Sequence, residues 1–64
     1  MIGTVWFYDE AIQEGYIIGN DGRRYSFPRA HYRHTEDPII GAVADFKDAK
    51  EVAQEIKVVG FYDL

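Results

Sequence analysis

The chain contains no cysteine, a single serine and no apolar run long enough to span a membrane. Disulfides are therefore excluded, and a covalent acyl-transfer mechanism has almost no nucleophile, because Ser26 stands in no nucleophile-elbow context. A fold of 64 residues buries only about 60% of its unfolded surface, so close packing has to stabilise it. We predict one small domain that is not an enzyme and needs no cofactor.

Aromatic residues are plentiful, with five Tyr, four Phe and one Trp, and 47% of the chain is hydrophobic. This composition favours a compact core and argues against disorder. No basic and apolar leader follows Met1, and cysteine is missing, so we expect a cytoplasmic protein that does not associate with membranes.

The net charge of −4 conceals a strong segregation. Residues 23–34 hold all four arginines and both histidines with no acid, whereas the rest carries three lysines against eleven acids. Clustered cations of this kind can bind phosphates, but a solvated face that balances the acids is the slightly more ordinary interpretation. The candidate phosphate-binding residues are Arg23, Arg24, Arg29, His31 and Arg33.

Alternating apolar residues predict strands over residues 2–8, 15–18, 24–27, 41–47 and 53–59. The glycines of residues 19–22 predict a tight hairpin, and Pro28 is expected to end the third strand. A short helical turn around residues 30–33 and a turn at residues 35–38 are expected in the longest connection. We predict an all-β fold, a small five-stranded antiparallel Greek-key barrel of the OB type or an SH3-like one.

Two alternatives concern the second half of the chain. Residues 45–57 also fit a single amphipathic helix, with Phe46, Val52 and Ile56 on one stripe. The barrel is predicted to occupy residues 1–59, with Val5, Ile17, Phe46 and Ile56 directed inward. Residues 60–64 are either the tail of the last strand or the start of a linker.

The glycine and apolar spacing resembles that of the cold-shock domain. The matching elements are GTVWFY at residues 3–8, GYII at residues 15–18 and DG at residues 21–22, followed by Gly41 with Ala44 and Phe46, and by Ala53 with Ile56. The likeness runs essentially without gaps over residues 3–22, is looser to Val59, and covers most of the chain. It implies a cold-shock-like OB barrel.

The resemblance also implies a platform of aromatic side chains that stacks single-stranded bases. Phe7 falls at the family's tryptophan and Tyr16 at the second phenylalanine of its second strand. Trp6 stands where the family has a lysine, Glu14 where it has the first phenylalanine and Ile12 at another lysine. Base stacking on such rings contributes about 1–3 kcal/mol per base and tolerates many sequences.

The third strand can be placed in two registers that differ by one residue, and such a slip exchanges the two faces of a strand. In the favoured register Tyr25 and Phe27 are buried, which leaves Ser26 and Pro28 at the family's Phe and His positions. The alternative register would place both rings on the binding face, but it would bury Arg24 without a counter-charge.

We therefore expect a weak, sequence-tolerant module that binds single-stranded RNA or DNA through Trp6, Phe7, Tyr16 and the arginine segment. If all four arginines reach phosphates, the logarithm of affinity should fall with the logarithm of salt concentration with a slope of about −2.8. The alternative is a barrel without nucleic-acid binding that serves as a protein-interaction or regulatory module of a longer protein. The spacing of His31, His34 and Asp37 would suit a metal on a helix face, but a solvent-exposed role is favoured.

Overall fold

The computed structural model describes residues 1–61, which form five strands and one short 3-10 turn. The elements in chain order are β1 (Ile2–Asp9), β2 (Glu14–Gly19), β3 (Arg24–Pro28), the 3-10 turn (Arg29–His31), β4 (Ala42–Ala49) and β5 (Val52–Phe61). The five-strand prediction is confirmed. Residues 45–57 do not form the alternative helix, since Lys50 and Glu51 form a turn that separates two antiparallel strands.

The strands close into a barrel in the order β1-β2-β3-β5-β4. All neighbouring pairs are antiparallel except β3 and β5, which meet in parallel through the single pair Ser26 and Val52. There the Ser26 N–H donates to the carbonyl oxygen of Glu51 at 3.1 Å. This is the predicted small all-β barrel, and its strand order is consistent with an OB-like barrel.

Buried apolar side chains from every strand fill the barrel. Val5, Ile17, Phe46 and Ile56 are all buried, as the sequence predicts. The other members of the core are Tyr25, Phe27, Tyr32, Ala42, Ala44 and Ala53. No polar or charged residue is buried among residues 1–61.

The register of the third strand is the favoured one. Tyr25 and Phe27 point into the core, and Arg24, Ser26 and Pro28 lie on the outside. The inward register is favourable because it buries two large rings and leaves the guanidinium in water. The Tyr25 ring packs on Phe46, and the Phe27 ring stacks between Tyr8 and Tyr32.

A β-bulge in β1 determines the direction of two aromatic side chains. Val5 lies opposite Ile17 and Phe7 lies opposite Tyr16, so Trp6 is an extra residue in β1. The two consecutive residues Trp6 and Phe7 are therefore both exposed, although a regular strand would direct one of them inward. Gly15 allows the close approach of the strands here, because a Cβ atom would collide with the carbonyl oxygen of Phe7.

The predicted hairpin after β2 is confirmed. The Gly22 N–H donates to the carbonyl oxygen of Gly19, and the Gly19 N–H donates to that of Arg23, both at 2.9 Å. Gly22 has φ of 81°, a left-handed conformation that costs glycine little. The hairpin fixes the position at which Arg23 and Arg24 begin β3.

The expected connection after Pro28 is also found in outline. A 3-10 turn spans Arg29–His31, and the chain bends at residues 34–36.

β5 continues to Phe61, with Gly60 opposite Val43, so the last strand extends two residues beyond the predicted limit of 59. The rest of the predicted tail, residues 62–64, lies outside the described residues. Between residues 1 and 61 there is no helix with the length and apolar character needed to cross a membrane.

Candidate nucleic-acid interface

Three aromatic side chains lie together on the outer face of β1 and β2. Trp6 is 59% exposed and Phe7 is 43% exposed, whereas Tyr16 is partly buried. Neighbouring exposed rings form an apolar patch, and such patches on a protein surface commonly mark binding sites. We call Trp6, Phe7 and Tyr16 the aromatic row.

Tyr16 is bracketed by its neighbours. The Phe7 ring stacks against it from the β1 side, with centroids 5.6 Å apart and planes inclined by 23°. From β3 the guanidinium carbon of Arg24 lies 5.1 Å from the centre of the Tyr16 ring. The ring surfaces most open to a ligand therefore belong to Trp6 and Phe7, and Arg24 holds a positive charge at the edge of the aromatic row.

Arg23 and Arg24 also line an open groove of about 750 Å³ at the junction of β3 with the β4–β5 turn. Lys50 contributes a third cation from that turn, and Asp48 and Glu51 contribute two acids. Sequence analysis missed Lys50, because nothing in the chain indicates that its turn adjoins the arginines. Only the closure of the barrel through Ser26 and Val52 brings them together.

Asp21 holds the hairpin that presents these arginines. Its carboxylate accepts two hydrogen bonds. The Tyr25 hydroxyl donates one, with 2.5 Å between the oxygens, and the Arg23 N–H donates the other, with 3.0 Å between nitrogen and oxygen. Both hydrogen bonds lower the pKa of Asp21 below its ordinary value, and the bond from the Tyr25 hydroxyl has the larger effect. The same hydrogen bond, with desolvation, raises the pKa of Tyr25 to about 12.

Arg29 is bound to the loop that follows it. Its guanidinium forms an ion pair with Asp37 at 3.2 Å and donates to the carbonyl oxygens of Tyr32 and His34, both at 3.0 Å. Longer hydrogen bonds reach the carbonyls of Thr35 and Glu36. Arg29 therefore organises the connection between β3 and β4, and each of its three guanidinium nitrogens donates at least one hydrogen bond within that connection.

His31 and Arg33 lie beside β5 rather than beside the aromatic row. Nδ1 of His31 is 3.1 Å from the carbonyl oxygen of Ala53, and the Arg33 N–H donates to that of Ile56 at 2.7 Å. Of the predicted site residues, Phe7, Tyr16 and Arg24 are in contact, Trp6 adjoins Phe7 in the bulge, and Arg23 lines the groove beside Arg24. His31 and Arg33 hydrogen-bond to β5, and the Arg29 N–H donates to the carbonyl oxygen of Gln13 in the β1–β2 connection.

The residues with metal-ligand spacing, His31, His34 and Asp37, have other contacts. In the described part of the chain, no three His, Asp or Glu side chains come close enough to hold a metal ion. Asp37 is engaged by Arg29, and the His34 ring meets the Tyr32 ring edge-on at a centroid distance of 6.2 Å.

Comparison of the chain with known protein families, with curated proteins and with solved structures gives no match. The resemblance to the cold-shock domain remains a prediction, and the function has to be argued from this surface.

Proposed function

We propose that the protein is a non-enzymatic module that binds single-stranded nucleic acid through the aromatic row. The observation that carries the proposal is the β-bulge, which turns both Trp6 and Phe7 to solvent beside Tyr16. Exposed rings on a sheet face suit bases of a single strand, because every base has a π-face that can stack. The expected location is the cytoplasm, where a chain without cysteine is at no disadvantage.

Phosphates are expected on the side of the aromatic row where β3 and the β4–β5 turn meet. Arg23, Arg24 and Lys50 supply three positive charges there. The two acids of the groove and the net charge of −4 oppose a polyanion, so affinity should be weak and should decline steeply above about 0.1 M salt. The module is then suited to transient contacts or to avidity with other domains.

Trp6 is the only tryptophan and belongs to the aromatic row, so its fluorescence reports directly on binding. We expect oligo-U and oligo-dT heptamers at low salt to quench the emission of Trp6 in a saturable manner. In parallel, an NMR titration should shift the resonances of Phe7 and Tyr16 more than those of β5. No change in either measurement at millimolar oligomer would overturn the proposal.

A protein-interaction module is the second candidate, and exposed apolar residues near Trp6 favour it. The Gly41 N–H donates to the Val5 carbonyl at 2.9 Å, so the loop containing Ile39 and Ile40 adjoins β1. Ile40 is 68% exposed. Phe61 of β5 pairs with Ala42, which follows this loop, and is 59% exposed. If no oligonucleotide binds, this surface becomes the better candidate.

A further inference from the structure

The strand register divides the outer face of β1, β2 and β3 into three neighbouring rows. The central row contains Phe7, Tyr16 and Ser26. The row on one side contains Thr4, Ile18 and Arg24, and the row on the other side contains Asp9, Glu14 and Pro28. The stacked rings therefore lie between a cation and a pair of carboxylates.

Glu14 is notable within this arrangement. Asp9 lies directly opposite it, and like charges at such cross-strand positions are destabilising. One Asp9 oxygen accepts the Ala11 N–H at 2.9 Å, which gives Asp9 a role in the β1–β2 turn. Within residues 1–61 the ion pairs are Met1 with Asp45, Arg29 with Asp37 and Lys47 with Glu55, so Glu14 pairs with no cation there.

We propose that Glu14 selects the base that stacks on the aromatic row and that the preferred ligand is a single strand containing guanine. This inference rests on the proposed function. A carboxylate can only accept hydrogen bonds, and guanine presents N1–H and N2–H₂ side by side on one edge. Uracil and thymine present one N–H between two carbonyl oxygens, and a carboxylate repels those oxygens. Adenine and cytosine offer a single amino group, which allows one hydrogen bond to the carboxylate where guanine allows two.

The geometry allows such a contact. Glu14 lies two residues along β2 from Tyr16, on the same face, and two residues of strand cover about 7 Å. A purine on the exposed face of Phe7 spans a similar distance, so its Watson–Crick edge can reach the carboxylate. The negative charges of Asp9 and Glu14 at the same time direct the phosphates toward Arg24, at the opposite side of the rings.

The test compares two RNA heptamers, UUUUUUU and UUUGUUU, by quenching of Trp6 fluorescence at low salt. We expect the parent protein to bind the guanine-containing heptamer at least about fivefold more tightly. Glu14→Gln should reduce this ratio to less than about twofold by weakening the guanine complex without weakening the oligo-U complex. Glu36→Gln is the matched control, since it removes the same charge at the bend after the 3-10 turn and should keep the preference.

The outcomes separate this inference from the proposed function. Equal affinity of the parent for both heptamers, or an unchanged preference in Glu14→Gln, would overturn the role of Glu14 while leaving binding itself established. Absence of binding to either heptamer would overturn both proposals. A loss of both affinities in Glu14→Gln with an unchanged circular dichroism spectrum would also reject base selection, because only the guanine complex should respond.

Discussion

The hydroxyl of Tyr25 donates to the carboxylate of Asp21 with 2.5 Å between the oxygens, which ties the core ring of β3 to the turn that precedes it. Asp21 also accepts the Arg23 N–H at 3.0 Å. The packing of one aromatic ring inside the barrel thus constrains the turn that carries Arg23 and Arg24 into the proposed interface.

This contact predicts how stability depends on pH. The pKa of Asp21 is lowered, so its contribution is present above its ordinary value near pH 4 and is lost as pH falls through the lowered folded value. The pKa of Tyr25 is raised to about 12, so its contribution is present below about pH 10 and is lost as pH rises through 12. Urea unfolding should therefore show a stability plateau between about pH 4 and pH 10 for this pair.

Two variants separate the parts of the contact. Asp21→Asn should lower the urea midpoint at pH 7 and reduce its dependence on acid, because the carboxylate no longer titrates. Tyr25→Phe keeps the core ring and the Arg23 contact but removes the hydroxyl that lowers the pKa of Asp21 most, so it should remove the contribution of Tyr25 to the decline above pH 10 and also weaken the dependence on acid. If Asp21→Asn retains the acid dependence of the parent, other carboxylates cause it.

Arg29 should matter for stability rather than for ligand binding. Its side chain is only 23% exposed and donates to one carboxylate and four carbonyl oxygens of the loop after the 3-10 turn. Arg29→Gln should reduce the free energy of unfolding by about 1 kcal/mol, because the loop loses a charged donor that connects one carboxylate with four carbonyl oxygens, most of them exposed to solvent. Arg33→Gln is the control, since Arg33 is exposed, and it should change stability by less than about 0.5 kcal/mol. Equal unfolding curves for the parent and Arg29→Gln would contradict this role.

The aromatic row predicts unequal effects of its rings on oligonucleotide affinity. Phe7→Ala should weaken binding by at least about 1 kcal/mol, and Tyr16→Ala by a smaller amount, because Phe7 and Arg24 already cover much of the Tyr16 ring. Phe61→Ala removes a still more exposed ring from β5 and should leave affinity unchanged. Trp6 fluorescence measures all three variants, with circular dichroism as the test of folding. A larger loss in Phe61→Ala than in Phe7→Ala would place the oligonucleotide beside β5 and would overturn the aromatic row as its binding surface.

Salt dependence should identify the cations that contact phosphate. If Arg23, Arg24 and Lys50 each neutralise one phosphate, the slope of log affinity against log salt is about −2.1 rather than the −2.8 expected from four arginines. Replacing Arg23 and Arg24 together by Gln should flatten the slope by about 1.4, with little effect on base preference. The matched replacement of Arg33 by Gln should leave the slope unaltered. A slope that Arg33→Gln flattens as much as the double change would place the phosphates beside β5.

The sequence by itself determined the strands, the hairpin and the core. Val5, Ile17 and Phe46 are buried because alternation along short strands leaves one apolar face, and that pattern is visible without coordinates. Ile56 is also buried as predicted, although β5 departs from strict alternation between Ala53 and Ile56. The register of β3 followed from the cost of burying Arg24, which is also a local argument. Glycine at residue 22 marked the turn because it takes a left-handed conformation cheaply.

Tertiary structure alone decided which charged groups meet the aromatic row. Arg23 and Arg29 belong to one basic segment, yet the 3-10 turn and the bend direct Arg29 to Asp37 and its neighbouring carbonyls. The turn at Lys50 and Glu51, with φ of 52° and 68°, lacks the usual glycine or asparagine, and the pairing of β4 with β5 imposes it. Contacts between residues far apart in the chain depend on which strands and turns meet when the barrel closes, and composition and periodicity do not specify those meetings.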